Sequence, residues 1–337
     1  ADRHWYAEIS ARFTAVKGSA NPAVLVARSN FFKLIGFLAG RWPHTLAIQP
    51  GGSTKAMTAA DRIRILAVLR EFRAFLESTL IGDKLENFAA LDTADALFAW
   101  CAGRNGDFPA FLTVAHDLQL EQTGRASDRY MSYGAYDLFA EGLWQPNANP
   151  QSNRLNPGNI TEDPRHAWMT DSSPLPPASG QTIVDVEKSG AYTWCKAPRY
   201  AGQIVETGAL ARQLVTGQRM LRDLVLRHGG SVTARVTARM IELATVLPAM
   251  ERWVRAIEIG DPFCNPTVLP DEAHGIGLVE AARGSLGHWL SIKNGRINRY
   301  QIIAPTTWNF SPRDSEGQPG PLEQSLVGLP AGDSAIP

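Results

Sequence analysis

Apolar residues recur at helical spacing along three long stretches of the chain. Ala23–Ala39 is apolar almost all the way round the helix, a pattern that predicts burial on most faces. Thr58–Gly82 opens with a Thr-x-x-Asp capping box and then carries one apolar face. Ser231–Ile257 opens with an N-capping serine, and its apolar residues follow alternately four and three apart. These stretches predict a core of long helices.

An alternating pattern replaces the helical period near the end of the chain. Leu286–Lys293 and Arg296–Ile303 are rich in β-branched and aromatic residues, and Asn294-Gly295 lies between them. Asn-Gly provides the positive φ angles that a two-residue hairpin turn requires. The stretch therefore predicts a β-hairpin. Counting outward from the turn pairs Ile292 with Ile297 and Trp289 with Tyr300.

The flanks of the hairpin bring polar side chains to one end. Arg283 lies just before the first strand, and Pro305-Thr306 follows the second. We therefore expect a guanidinium beside a hydroxyl. A corner this rich in hydrogen-bond donors suits a small anionic or acceptor ligand.

Together these patterns predict a mostly helical α+β fold, with a long-helix core and a β-hairpin or small antiparallel sheet near the C-terminus. We expect a single domain over residues 1–337. Its predicted regions are helical over 21–120, loop-rich over 140–190, helical over 206–259 and hairpin over 277–314. The loop-rich region could also link two domains, but Trp168 and Met169 within it need a place to pack, which favours an ordered excursion.

Composition narrows the function classes. The 337 residues contain 33 Lys+Arg and 33 Asp+Glu, so the chain lacks the basic excess typical of nucleic-acid binding. We found no apolar run that approaches bilayer-spanning length, and therefore expect no direct membrane insertion. Its three cysteines, Cys101, Cys195 and Cys264, are too scattered for a disulfide framework and form no C-x-x-C motif. So few and so widely spaced cysteines indicate a reducing compartment.

Two loops carry candidate chemistry. His44 lies in a Pro/Gly-rich loop, where a hydrogen-bonded structural histidine is the commoner interpretation. Lys196 and Arg199 flank Ala-Pro, and the residue before a proline favours extended backbone, so a loop should present both cations. Taken alone, a pair of surface charges near a helix start is the commoner interpretation of Lys196 and Arg199.

The motifs together resemble one family. In chain order they are PH followed by GG at Pro43–Gly52, SYG at Ser132–Gly134, KAPRY at Lys196–Tyr200, ARGSLGHW at Ala282–Trp289 and PTTWN at Pro305–Asn309. This order resembles the large subunit of [NiFe] hydrogenases over most of the chain. The residues of the last two motifs are similar to those of the cytoplasmic uptake and H2-sensing types of this family. A cytoplasmic location is therefore expected, with a membrane-associated or periplasmic one through the small subunit as the alternative.

The resemblance implies a nickel-dependent oxidoreductase that oxidises or evolves H2 by heterolytic cleavage at a Ni-Fe(CN)2CO centre, or senses H2. Arg283 and Thr306 would be the catalytic residues, donating hydrogen bonds to the cyanides. Loops near the metal would contain His44, Lys196, Arg199 and Pro305. Electrons would pass to a partner small subunit, which alone carries the Fe-S clusters of the heterodimer.

The sequence also departs from the family. The family ligates its metals with two C-x-x-C motifs, and neither occurs here, while Ala282 replaces a common proline before Arg283. We therefore expect part of a large subunit that is inactive alone, with no metal ligand of its own, since soft metals require thiolates. The alternative is a non-catalytic maturation scaffold for the Fe(CN)2CO unit. A third possibility is a helical interaction protein without chemistry.

Overall fold

The computed structural model describes residues 3–148, 154–170 and 173–329. Parts of the predicted loop-rich region, residues 149–153 and 171–172, lie outside the described residues. Within them the helices are α1 (Tyr6–Phe13), α2 (Ala20–Ala39), α3 (Ala59–Phe75), α4 (Leu85–Ala89), α5 (Ala94–Cys101), α6 (Asp107–Asp117), α7 (Ala209–Thr216), α8 (Arg219–His228), α9 (Val232–Ala256), α10 (Pro305–Asn309) and α11 (Pro321–Leu326). The strands are β1 (Ile48–Gln49), β2 (Gly52–Ser53), β3 (Tyr130–Ala135), β4 (Phe139–Trp144), β5 (Ile160–Asp163), β6 (Ala197–Tyr200), β7 (Ala273–Ala281), β8 (Gly284–Lys293) and β9 (Arg296–Ile303).

The chain divides into two compact units. The described parts of unit 1 fall within Ala1–Leu91, Ala96–Leu118 and Met240–Leu269. Those of unit 2 fall within Asp92–Asp95, Gln119–Arg239 and Pro270–Pro337. The expected single domain over 1–337 stays a prediction.

Unit 1 is mainly helical. The predicted capping box opens α3: Thr58 Oγ1 accepts from the Asp61 N–H at 3.1 Å, and the Asp61 carboxylate accepts from the Thr58 N–H at 3.3 Å. The helix then continues as a π-helical turn, Leu76–Ile81, and stops at Gly82, where φ is 75°. Its apolar face is buried, as the sequence pattern predicted. The largest fully buried side chains of this unit include Ile65, Leu69, Leu76, Ile81, Leu85 and Phe88.

Helix α2 contradicts the expectation of burial on most faces. Only Ala20 and Leu34 are buried. One side packs on α3, where the rings of Phe31 and Phe72 stack with centroids 4.2 Å apart. The prediction failed because an apolar circumference requires neighbours on every side, and the sequence pattern does not provide them.

The sequence indicated no apolar stretch long enough to cross a bilayer, and helix α2 corrects that expectation. By length and composition alone, α2 is long and apolar enough to do so. However, Arg28 and Lys33 lie well inside it. Each would cost about 2.5–3.5 kcal/mol near the centre of a bilayer. The helix is therefore only a weak candidate for a membrane span.

Unit 2 contains three small antiparallel sheets. They pair β3 with β4, β5 with β6, and β7 with β8 and β9. Residues from all three sheets, together with α10, share one hydrophobic cluster: Met131, Tyr133, Leu155, Ile160, Tyr200, Val205, Trp289, Ile303 and Trp308. This cluster packs β8, β9 and α10 against Val205 in the segment that precedes α7.

The hairpin forms at the predicted turn but with a shifted register. Asn294 and Gly295 have φ angles of 53° and 67°, and Ile292 pairs with Ile297 as predicted. Beyond that pair the register shifts, so that Trp289 faces Gln301 and Tyr300 faces Leu290. The predicted pairing of Trp289 with Tyr300 is therefore wrong, because a β-bulge adds one residue on β9.

Candidate functional site

A cavity of about 360 Å³ lies within unit 2. Arg283, in the turn between β7 and β8, lines it together with Thr306 from the first turn of α10. The two residues that the flanks of the hairpin predicted to be neighbours thus line the same cavity. Neither side chain has a hydrogen-bond partner among the described residues, which leaves their donors available to a ligand.

The cavity is positively charged. Its lining contains the guanidiniums of Arg235, Arg239 and Arg283 but only one carboxylate, that of Glu206. Arg235 donates to both oxygens of Glu206, at 2.7 and 2.8 Å. Burial opposes the charge on Arg235, yet Glu206 raises the pKa of Arg235 above its ordinary value. Two guanidiniums remain without a carboxylate in the lining, so the cavity favours an anionic or acceptor ligand.

A buried ion pair holds the backbone that leads into Arg283. Arg212 Nη1 donates to Glu280 at 2.7 Å and to the carbonyl of Ala281 at 2.9 Å, and Nη2 donates to the carbonyl of Ala282 at 3.1 Å. Burial raises the pKa of Glu280, which outweighs the opposite effect of its hydrogen-bonding partners and of Arg212. The segment that carries Arg283 is therefore anchored by hydrogen bonds to its carbonyls.

Lys196 and Arg199 are buried, but neither lines this cavity. Lys196 Nζ donates to the Gln181 carbonyl and lies 3.9 Å from Glu162. Arg199 is in strand β6 rather than in the predicted loop, and its Nε donates to Asp314 at 2.7 Å. Both side chains are buried and interact with partners inside the protein, so they are not surface charges.

Pro305 and His44 differ in burial and lie in different units. Pro305 is the buried first residue of α10, directly before Thr306, where a missing N–H costs no helical hydrogen bond. His44 is exposed in unit 1 with φ at 59°. The convergence of the His44 loop on the Arg283 cavity stays a prediction.

The described residues offer no coordination shell for a nickel-iron centre. Among residues 3–148, 154–170 and 173–329, no group of three or more His, Cys, Asp or Glu side chains could hold a metal ion. Cys101, Cys195 and Cys264 are free thiols. The residues present therefore do not fit the metal as ligands, whereas Arg283 and Thr306 fit as hydrogen-bond donors beside one.

Sequence reasoning missed several residues of the cavity, above all Arg239, Glu206 and Asn309. Arg235 and Arg239 are four apart in α9, so they share one side of the helix. That spacing was a usable signal, but the apolar stripe of the same helix concealed it. No signal in the sequence indicated that Glu206 would pair with Arg235.

The sequence profile of the nickel-dependent hydrogenase family matches residues 23–337. The chain belongs to that family. A similar relative is the periplasmic [NiFeSe] hydrogenase large subunit of Desulfomicrobium baculatum, 27% identical in an alignment of 329 positions that covers 90% of this chain and 59% of that protein. The Hydrogenase-2 large chain of Escherichia coli (strain K12) is 28% identical in a gapped alignment of 344 positions, which covers 90% of this chain and 58% of that protein.

The fold agrees with this assignment. The Ni-Fe-Se hydrogenase from D. vulgaris Hildenborough superimposes with a TM-score of 0.78 at 26% identity, covering 94% of this chain and 66% of that one. The predicted α+β hydrogenase fold is therefore confirmed. The chain spans less than two thirds of the length of these hydrogenase proteins.

The cytoplasmic location predicted above is wrong. The relatives that match over most of this chain include a periplasmic enzyme and a quinone-reactive one, from Wolinella succinogenes. They do not support the H2-sensing subtype either. Both the residues of the last two motifs and the three scattered cysteines had indicated the cytoplasm. A protein with few thiols is, however, compatible with either redox environment.

Proposed function

We propose that this chain is part of the catalytic large subunit of a [NiFe]-type hydrogenase, which interconverts H2 with protons and electrons. The observation that carries the proposal is the convergence of Arg283 and Thr306 on one positively charged cavity, in a member of this family. The metal-binding thiolates would come from polypeptide that this sequence does not contain. The electrons would pass to a small subunit.

In this proposal the residues of the chain act as donors and fixed charges. The Arg283 guanidinium presents a planar fork of N–H groups, and the Thr306 hydroxyl adds one donor. Preorganised donors in a cavity that excludes water stabilise negative charge without reorganising during the reaction. Arg283 would thus hold acceptor groups in place and offset developing charge.

The test replaces Arg283 in the hydrogenase assembled with its small subunit. Arg283→Lys keeps the charge but loses the planar fork. We expect kcat to fall roughly 100-fold, as when an oxyanion-hole donor is removed, while nickel content stays unchanged. Arg296→Lys, at the exposed end of the hairpin, is the matched control and should leave kcat unaltered. Unchanged turnover in Arg283→Lys would refute the role.

A maturation scaffold is the second candidate. It is favoured by the absence of a metal-ligand group among the residues the structure describes. A scaffold would bind the Fe(CN)2CO unit without nickel and would show no H2 turnover in any assembly. Measuring nickel and turnover in the assembled protein separates the two candidates.

A further inference from the structure

Three backbone segments meet beside the cavity. They are residues 206–208, the Arg283-Gly284 turn, and α10, which carries Thr306 at one end and Asn309 at the other. Asn309, Thr207 and Gly208 line the cavity together with Arg283 and Thr306. The relative placement of the two donors therefore depends on what ties these segments together.

Asn309 joins α10 to the segment before α7. Its Oδ1 accepts from the Thr207 N–H at 3.0 Å, and its Nδ2 donates to the Thr207 carbonyl at 2.9 Å. One amide side chain thus satisfies both backbone groups of a single residue. Asparagine can do this because its side chain contains one acceptor and one donor group in a plane.

Two glycines then lock that segment to the Arg283 turn. A Cβ on Gly284 would lie 2.4 Å from Thr207 Oγ1 and 2.8 Å from the Gly208 nitrogen. A Cβ on Gly208 would lie 3.2 Å from the Arg283 carbonyl oxygen. Both glycines also have positive φ angles, 136° for Gly284 and 126° for Gly208, which L side chains rarely adopt. The short Cβ distances show that the two backbone segments are in direct contact. A shift of Thr207 would therefore move Arg283.

The Thr207 hydroxyl does not provide a second attachment. It is buried and has no hydrogen-bond partner among the described residues. The side chain packs against Gly284, so the polar connection from this residue to α10 runs through Asn309.

We propose that Asn309 is a positioning residue, which fixes Thr306 relative to Arg283 by clamping the Thr207 backbone. The inference rests on the proposed function and extends it to a residue that need not touch the ligand. Thr306 is three residues before Asn309 in α10, so the two share a face of one helical turn. The clamp passes from that turn, through Thr207 and Gly208, to the backbone of Arg283.

The first test is a double-mutant cycle in the assembled enzyme, with Asn309→Ala, Arg283→Lys and their combination. A misplacement of about 1 Å can cost roughly 100-fold in rate, so we expect Asn309→Ala to lower kcat about 10- to 100-fold, with KM and nickel content unchanged. If Asn309 acts through Arg283, the double variant should be no slower than Arg283→Lys alone, within about threefold. Asn298→Ala, at an exposed asparagine of β9, is the matched control.

A second measurement does not depend on turnover. Hydrogen exchange at the Thr207 amide should accelerate at least tenfold in Asn309→Ala and stay unchanged in Asn298→Ala. Asn309→Asp provides a rescue: its ionised carboxylate cannot donate to the Thr207 carbonyl, whereas its protonated form can. The kcat of Asn309→Asp relative to the wild type should therefore rise as the pH falls.

The outcomes separate the two claims. If Arg283→Lys leaves kcat unchanged, the proposed function fails and this inference fails with it. If Arg283→Lys slows the enzyme but the two effects multiply in the double variant, only the positioning role is overturned. A loss of kcat in Asn309→Ala that matches a loss of nickel would also overturn it, because the defect would then be one of assembly.

Discussion

Arg199 illustrates how a charged residue in a distinctive motif can serve the fold. A guanidinium has five N–H donors, and here Nε and both terminal nitrogens are engaged. Nε donates to Asp314, while the terminal nitrogens donate to Ser311 Oγ and to three carbonyls, those of Pro198, Pro312 and Gln318. Arg199 thus fastens the loop that follows α10 to strand β6.

We expect Arg199→Lys to destabilise unit 2 by roughly 2–4 kcal/mol, because one ammonium cannot replace several buried hydrogen bonds. The free energy of unfolding, measured by chemical denaturation with tryptophan fluorescence, tests this. Arg313→Lys, in the same loop but exposed, should change it by less than about 0.5 kcal/mol. Equal effects of the two variants would contradict the structural role of Arg199.

The sequence predicted that Arg283 and Thr306 lie at the same end of the hairpin because both flank it, and both line one cavity. It could not assign partners to Lys196 and Arg199. Their partners include Glu162, 34 residues before Lys196, and Asp314, 115 residues after Arg199. A sequence pattern contains no information about pairs at such separation. The family resemblance implied a loop near the metal for Lys196, whose side chain is buried but does not line the cavity.

The turn before β8 requires a glycine. Gly284 has φ at 136°, and a Cβ there would overlap Thr207. Gly277 on the neighbouring strand has open space around the equivalent position. The two glycines therefore form a matched pair on one sheet.

Gly284→Ala should destabilise unit 2 by roughly 2–4 kcal/mol, through backbone strain and overpacking. Gly277→Ala should change the free energy of unfolding by less than about 0.5 kcal/mol. Thermal and chemical denaturation of both variants provide the comparison. A Gly284→Ala protein as stable as the Gly277→Ala protein would show that the Arg283-Gly284 turn is not in direct contact with Thr207 and Gly208.

Elements with strong local signals were predicted well. The predicted cap forms at Ser231, whose Oγ lies 3.2 Å from the Ala234 nitrogen and accepts its N–H. The bulge in the hairpin was not predictable, because no residue type marks an extra residue on β9. The exposure of α2 was not predictable either, since the periodicity of a helix reports its own faces and not its neighbours.

At the scale of the whole molecule, metal binding is the decisive property. Because the described residues contain no metal-ligand group, the chain expressed alone should hold no stoichiometric nickel and evolve no H2. Elemental analysis after gel filtration, with a complete relative as the positive control, measures this. Tight nickel binding at one ion per chain would overturn our account of the ligands.

The outward apolar side of α2 determines how a solution of the isolated chain would behave. Attraction between such patches is opposed in most proteins by the repulsion of like net charges. Here the formal net charge is zero at pH 7, so that repulsion is absent at neutrality. Solubility should therefore pass through a minimum near neutral pH and fall further in sulfate, which strengthens apolar association. In practice, the isolated chain should be purified at a pH away from neutrality and at a low concentration of sulfate.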